Sequence, residues 1–203
     1  HHGDGVQDVF YDTDQVLTIS IHESGQYLFP GTGSTDELGI GRGKGYSVNI
    51  PLYPYTGDDL YMRVFRETVP QLITAFKPDI LVTQLGVDTY FNDPLTHIML
   101  SSKGFTQAVQ EFSGMDLPWL ALGGGGYDIG AVARCWAIAY GIMINEYWPD
   151  QISSGSVANL GYENLNDAVA PEVPEYMIGE ATKFAENSLL QIKKTIFPIH
   201  RIS

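Results

Sequence analysis

The chain repeats one arrangement that narrows its possible folds: a short apolar run, a glycine-rich or polar turn, then a helical pattern. Residues 80–85 run into Gly86-Val87-Asp88, and residues 117–122 run into Gly123-Gly124-Gly125-Gly126-Tyr127. Runs this short and continuously apolar predict strands buried on both faces. Residues 16–21 predict another, with His22 just past its end. Residues 46–52 alternate apolar and polar positions, as a strand ending near its proline does. Helical spacing predicts helices over residues 60–76, 100–112, 129–147 and 176–196. In the first, Tyr61, Val64, Phe65, Val69, Leu72, Ile73 and Phe76 share one face. Asp58 or Asp59 can cap it, and Pro70 predicts a kink or a break into two helices. Alternating strands and helices predict a parallel α/β sheet with right-handed crossovers. Residues 149–174 are polar, interrupted by Gly and Pro, and predicted to wrap the surface.

A chain of 203 residues suits one domain or a large piece of one, and its 44% hydrophobic and 17% charged content fits a packed globular protein. Twenty-four acidic against 11 basic residues give a net charge of -13, which repels phosphate backbones and argues against direct nucleic-acid binding. Cys135 is the one cysteine, which excludes an internal disulfide and a multi-cysteine zinc site and suits a reducing cytoplasm. It falls inside a predicted helix between Arg134 and Trp136, where a packed thiol is expected rather than a nucleophile. No G-x-S-x-G elbow supports a serine hydrolase. No apolar run reaches the roughly 18 to 20 residues that span a bilayer, so no membrane partner is expected. The first residue is not Met and no charged-then-apolar leader follows, so the expectation is a truncated or processed, non-secreted chain.

In open α/β sheets, ligands bind outside the carboxyl ends of the strands. Asp88, Tyr127 and His22 all fall at predicted strand ends, and His1-His2-Gly3-Asp4-Gly5 would be a fourth such place if a strand precedes it. Asp88 is either a helix cap or a metal ligand paired with a histidine from another strand end. Four consecutive glycines cost chain entropy, which is explained if backbone there must pass close to a substrate. The Tyr127 hydroxyl could then donate to an oxyanion beside a metal. Residues 23–46 hold seven glycines, a long loop of the kind that carries function. Gly39-x-Gly41-x-Gly43 is not a phosphate loop, because a strand pattern follows it instead of a helix. Phe29 and Leu95 can be core residues or walls of a site.

With these residues assembled, the chain resembles the histone deacetylase superfamily of zinc-dependent deacetylases. The resemblance rests on His1 to Gln7, Phe29-Pro30-Gly31-Thr32-Gly33, Gln84 to Asp88, and Gly123 to Tyr127 followed by Val132-Ala133-Arg134-Cys135-Trp136, in that order. It sets aside the competing reading of His1-His2 as the end of an affinity tag. Asp93-Pro94-Leu95-Thr96-His97 looks most like the bacterial and archaeal acetoin utilization branch.

The resemblance implies an arginase-like parallel α/β fold, three layers with helices on both faces. The chain would be the C-terminal portion of one deacetylase domain, residues 1–148 forming the catalytic fold and 149–203 a surface wrap and terminal helix. It implies zinc held by His1 and Asp88, Asp4 orienting a catalytic histidine, and Tyr127 stabilising the oxyanion. Phe29, Leu95 and Gly125 would line the channel for an acyl-lysine. Ser20, with the carbonyls of His1 and Ile21, matches one potassium site; the carbonyls of Phe10, Thr13, Val16 and Tyr46 match another. The family's second zinc carboxylate and its proton-transferring histidine pair would lie upstream of His1, together with early strands. The implied reaction is hydrolysis of acetyl-lysine in a protein, with acetylpolyamines or other small acetylated amines as the alternative substrate. A catalytically inactive binding module is the other alternative. The isolated 203 residues are expected to bind zinc weakly and to lack activity.

Overall fold

The computed structural model describes residues 1–203. In chain order it contains α1 (Asp4–Val9), β1 (Thr18–Glu23), β2 (Ser47–Leu52), α2 (Asp58–Phe76), β3 (Leu81–Leu85), α3 (Ser102–Ser113), β4 (Trp119–Gly123), α4 (Ile129–Ile144), α5 (Ser154–Leu160) and α6 (Glu175–Thr195). Two compact units result. The first comprises His1–Thr56, Arg63–Pro78 and Pro174–Ser203; the second comprises Gly57–Met62 and Asp79–Val173.

In the first unit β1 and β2 pair in parallel, Thr18 opposite Ser47 and Glu23 opposite Leu52. Parallel neighbours need a long crossover, and here the glycine-rich residues 24–46 supply it without an α-helix. His22 lies inside β1 rather than beyond it, because pairing with β2 carries the strand on to Glu23 and the N–H of Ser24 still reaches the Leu52 carbonyl at 2.8 Å. Although β2 alternates apolar and polar residues, all six are buried. Its polar side chains are matched inside: Ser47 Oγ and Asn49 Nδ2 donate to Gln7 Oε1 at 2.9 and 2.6 Å. Helix α6 lies against β2 through a buried stripe of Ala181, Ala185, Ser188, Leu189 and Ile192. The small residues permit close approach, and Ser188 Oγ donates to the Pro51 carbonyl at 2.8 Å. Helix α2 continues unbroken through Pro70. Val69 before the proline and Leu72 and Ile73 after it are buried, so core packing holds both halves where local propensity would part them.

In the second unit β3 and β4 pair in parallel around α3, a βαβ unit with Leu81 opposite Trp119 and Leu85 opposite Gly123. The core gathers Leu85, Val87, Tyr90, Phe105, Val109, Ala131, Cys135 and Ala139, with Trp119 and Ala121 packed against it. The expectation of burial on both faces fails for this pair. Val82, Leu120 and Leu122 are about half exposed, because the period of two sends them all to the face away from that core. Asp58 opens α2, yet its carboxylate accepts both the N–H and the hydroxyl of Ser101, the N-cap of α3. Helix α4 stops at Ile144, short of the predicted 147, because Asn145 turns into the left-handed region as its cap. Cys135 is buried and its thiol is pushed up to about 12, chiefly by burial, as a packed, inert thiol should be.

Residues 149–173 contain α5, which residue spacing does not predict; none of them is buried, and an internal ion pair ties them to α4. Arg134 of α4 is 1% exposed and pairs with Asp167 at 2.7 Å. Its Nε donates to the carbonyls of Asn164 and Leu165, and its Nη1 to the Tyr90 hydroxyl. Asp167 in turn accepts the Tyr90 hydroxyl and the N–H of Ser102.

Candidate functional site

The first unit carries the opening turn. Gly3 precedes α1 and Asp4 stands in its first turn, where a carboxylate complements the helix dipole and accepts the N–H of Gly5 at 2.9 Å. Both Gly3 and Asp4 are exposed, while His2 is buried, its Nδ1 3.1 Å from the Thr32 hydroxyl and its Nε2 without a hydrogen-bond partner. The His2 and His22 ring centroids are 4.7 Å apart. His22 Nε2 sits 3.0 Å from the Gly33 carbonyl, which can only accept, so that nitrogen carries the proton. Nδ1 then accepts from the Ser20 hydroxyl at 2.8 Å. Burial, with His2 alongside, lowers the His22 pKa to about 3, so this imidazole is neutral at pH 7.

Glu37 anchors the loop above this pair. Its Oε1 accepts the N–H groups of Gly33 and Ser34 at 2.8 and 3.0 Å, and its Oε2 accepts from Gln7. Burial pushes its carboxyl up, but those donors hold it below the usual glutamate range. Among the candidate potassium residues, the 10–16 turn meets the glycine loop where Ile40 N–H donates to the Tyr11 carbonyl at 2.9 Å. Thr13 N–H donates to the Phe10 carbonyl, and the Tyr46 carbonyl takes the N–H of Thr18 at 2.9 Å. Phe29, joined to Pro30 by a cis peptide bond, is 79% exposed, so it is no core residue.

The second unit carries Asp88, Leu95, Gly125 and Tyr127. Asp88 follows β3 and is buried, and its carbonyl accepts the Thr96 hydroxyl. The glycine run lies directly on it. A Cβ at Gly125 would stand 2.6 Å from Asp88 Oδ2, and Gly126 has φ +143°, so a side chain at either position would be forced out. The N–H of Val87 donates to the Gly125 carbonyl at 2.7 Å, tying the two strand-end loops together. Tyr127 is half-exposed and Leu95 nearly so, both open to a solute.

Asp93, to which residue pattern assigns no role, organises this part of the second unit. Its Oδ1 accepts the N–H groups of Leu95 and Thr96 at 2.9 and 3.2 Å, and its Oδ2 accepts the N–H of Tyr127 at 2.8 Å. One buried carboxylate thus fixes both the Leu95 loop and the backbone that presents the tyrosine. The Asp-Pro turn was the visible signal, but its long-range acceptor role was not. Tyr61 also senses the site: burial and the charge of Asp88 push its phenol well above the usual range.

No group of three or more His, Cys, Asp or Glu side chains in the structure could hold a metal. Taken unit by unit, the side chains present are of kinds that zinc accepts: imidazoles in the opening turn of the first, and the buried strand-end carboxylate of Asp88 in the second.

Residues 1–143 match the family described as Histone deacetylase domain. The acetoin utilization protein AcuC of Bacillus subtilis (strain 168) is 46% identical over 146 residues, 68% of this chain and 37% of that protein. Human histone deacetylase 1 is 40% identical over 152 residues, 75% of this chain and 31% of that protein. Two solved structures, a histone deacetylase homolog complexed with SAHA and a homolog from Aquifex aeolicus, superpose with TM-scores of 0.81 at 30% identity. They cover 92% and 93% of this chain, and the chain covers 55% of each. The chain therefore spans about a third of the length of the curated relatives and about half that of the solved ones. The expected α/β fold is borne out by this likeness.

Proposed function

Because the chain belongs to the histone deacetylase family, we propose that the full-length protein hydrolyses the amide of acetyl-lysine in a zinc-dependent reaction. The observation that supports this reading is that the Asp93 carboxylate ties the Leu95 loop to the backbone of Tyr127, while Gly125 lies against the carboxylate of Asp88. His1 and Asp88 would hold the metal, whose chemistry when bound is to polarise the amide carbonyl and acidify a water. Phe29 and Leu95 would flank the aliphatic lysine stem, with Gly125 leaving room beside Asp88. The Tyr127 hydroxyl would donate to the oxygen that gains charge as the carbonyl becomes tetrahedral. Asp4 would orient an imidazole that takes part in proton transfer. Ser20, Ile21, Phe10, Thr13, Val16 and Tyr46 would serve structural potassium through a hydroxyl and carbonyls. The 203 residues are read as part of a single deacetylase domain.

The test compares acetate release from an acetyl-lysine peptide and from an acetylpolyamine by the full-length protein, before and after zinc chelation. The proposal expects the peptide to be preferred, activity to vanish on chelation, and zinc to restore it. Preference for the polyamine would move the assignment to small amines, and activity indifferent to chelation would sink the zinc mechanism.

A further inference from the structure

Tyr162 lies beyond the residues that match the family, in the segment after α4, yet it reaches back to the residue following Tyr127. Its hydroxyl donates to Asp128 Oδ2 at 2.5 Å. Asp128 is the N-cap of α4, with its other carboxylate oxygen accepting the N–H of Ala131 at 3.0 Å. The next residues are shaped for this contact. A Cβ on Gly130 would stand 2.1 Å from the Leu160 carbonyl oxygen and 2.6 Å from the Tyr162 ring. The ring is itself immobilised: the Arg134 guanidinium lies 4.1 Å over it, and Arg134 is pinned by Asp167 and the carbonyls of Asn164 and Leu165.

Tyr127 is thereby held from both sides, its own N–H on Asp93 and its successor on Tyr162. We propose that Tyr162 is a positioning residue for Tyr127: by fixing Asp128 it fixes the backbone that aims the phenol. The same segment reaches the Asp88 loop, because Asp167 accepts the hydroxyl of Tyr90 at 2.8 Å. The proposal rests on the reading of Tyr127 as the oxyanion donor. A donor displaced by a fraction of an ångström loses reaction-specific stabilisation while substrate binding is retained, so the effect belongs in kcat.

The experiment measures kcat and KM on an acetyl-lysine peptide for the full-length protein and its Tyr162→Phe, Tyr127→Phe and double variants. Hydrogen exchange of residues 123–128 is followed in each. Tyr162→Phe keeps the ring over Arg134 and removes only the hydroxyl. The expected result is a roughly 10-fold fall in kcat with KM within about twofold, and faster exchange at 123–128. In the Tyr127→Phe background the same change should cost less than about twofold, since the group it positions is already gone. An unchanged kcat, or an equal loss in both backgrounds, overturns the proposal. Should Tyr127→Phe alone leave turnover unchanged, the oxyanion assignment fails. Exchange at 123–128 then still shows whether Tyr162 holds the loop. If Tyr162→Phe folds poorly, Asp128→Asn retains the cap while weakening the acceptor, and the same split between kcat and KM decides.

Discussion

The two units tie their elements together with ion pairs placed in opposite surroundings. In the first, Glu67 joins α2 to α6 by pairing with Lys193 at 2.5 Å and with Arg63 at 3.0 Å, and all three side chains are about a third to a half exposed. The interior of that unit is held by hydrogen bonds: His22 with Ser20 and Gly33, and Gln7 with Ser47 and Asn49. In the second unit the pair is internal, Arg134 at 1% and Asp167 at 11% side-chain exposure. The contrast teaches that a charge is consequential here where water cannot replace its partner. A surface pair is replaceable by solvent, whereas a buried one leaves its partner stranded.

Substitution separates the buried pair from the exposed ones. Arg134→Met should cost the most, about 3–5 kcal/mol, because Asp167 and the Tyr90 hydroxyl lose their buried cation. Denaturant unfolding followed by tryptophan fluorescence is the direct readout, since Trp119, Trp136 and Trp148 all lie in the second unit. Asp93→Asn comes next, at about 1.5–3 kcal/mol, through the lost charge-assisted acceptor for the Tyr127 N–H. Its signature would be faster amide exchange at residues 123–128. Glu37→Gln should cost about 1 kcal/mol, since the remaining oxygen can still serve Gly33 and Ser34 while Gln7 loses its acceptor. Glu67→Gln should fall within about 0–1 kcal/mol and vanish in 1 M salt. A Glu67 effect as large as that of Arg134 would remove the distinction between the units.

Acid sharpens the same contrast. Burial pushes the Asp167 carboxyl up, but the Ser102 N–H, Arg134 and Tyr90 together hold it below its ordinary 3.8. Its stabilising contribution is therefore complete above that value and is lost as pH falls through the lower folded one. Tryptophan fluorescence of the wild type should hold steady down to about pH 4 and change below it, and Arg134→Met should shift that change upward. An Arg134→Met profile that coincides with wild type would deny the pair its role.

Much of this architecture is readable from residue pattern because period and punctuation are local. The four strands and four longer helices lie close to where alternation, helical spacing and Gly or Pro place them. Helix α1 escaped because six residues with none buried show no apolar stripe, and α5 escaped for the same reason. At the site, Asp88, Gly125 and Tyr127 announce themselves as strand-end residues beside glycines that admit backbone. Asp93, Asp167 and Tyr162 do not, because each acts on a residue more than 30 positions away, and sequence spacing carries no trace of such contacts. His22 was visible but misplaced, since the register of β1 is set by its partner strand.

The role proposed for Tyr127 is to stabilise the oxyanion of amide hydrolysis. It is tested most directly by kcat for acetyl-lysine peptide in the zinc-loaded full-length protein against its Tyr127→Phe variant, matched in thermal stability. Removing such a donor costs on the order of 3–4 kcal/mol, so a loss of roughly 100-fold or more in kcat is expected with the fold intact. Unchanged turnover in a folded Tyr127→Phe protein would contradict it.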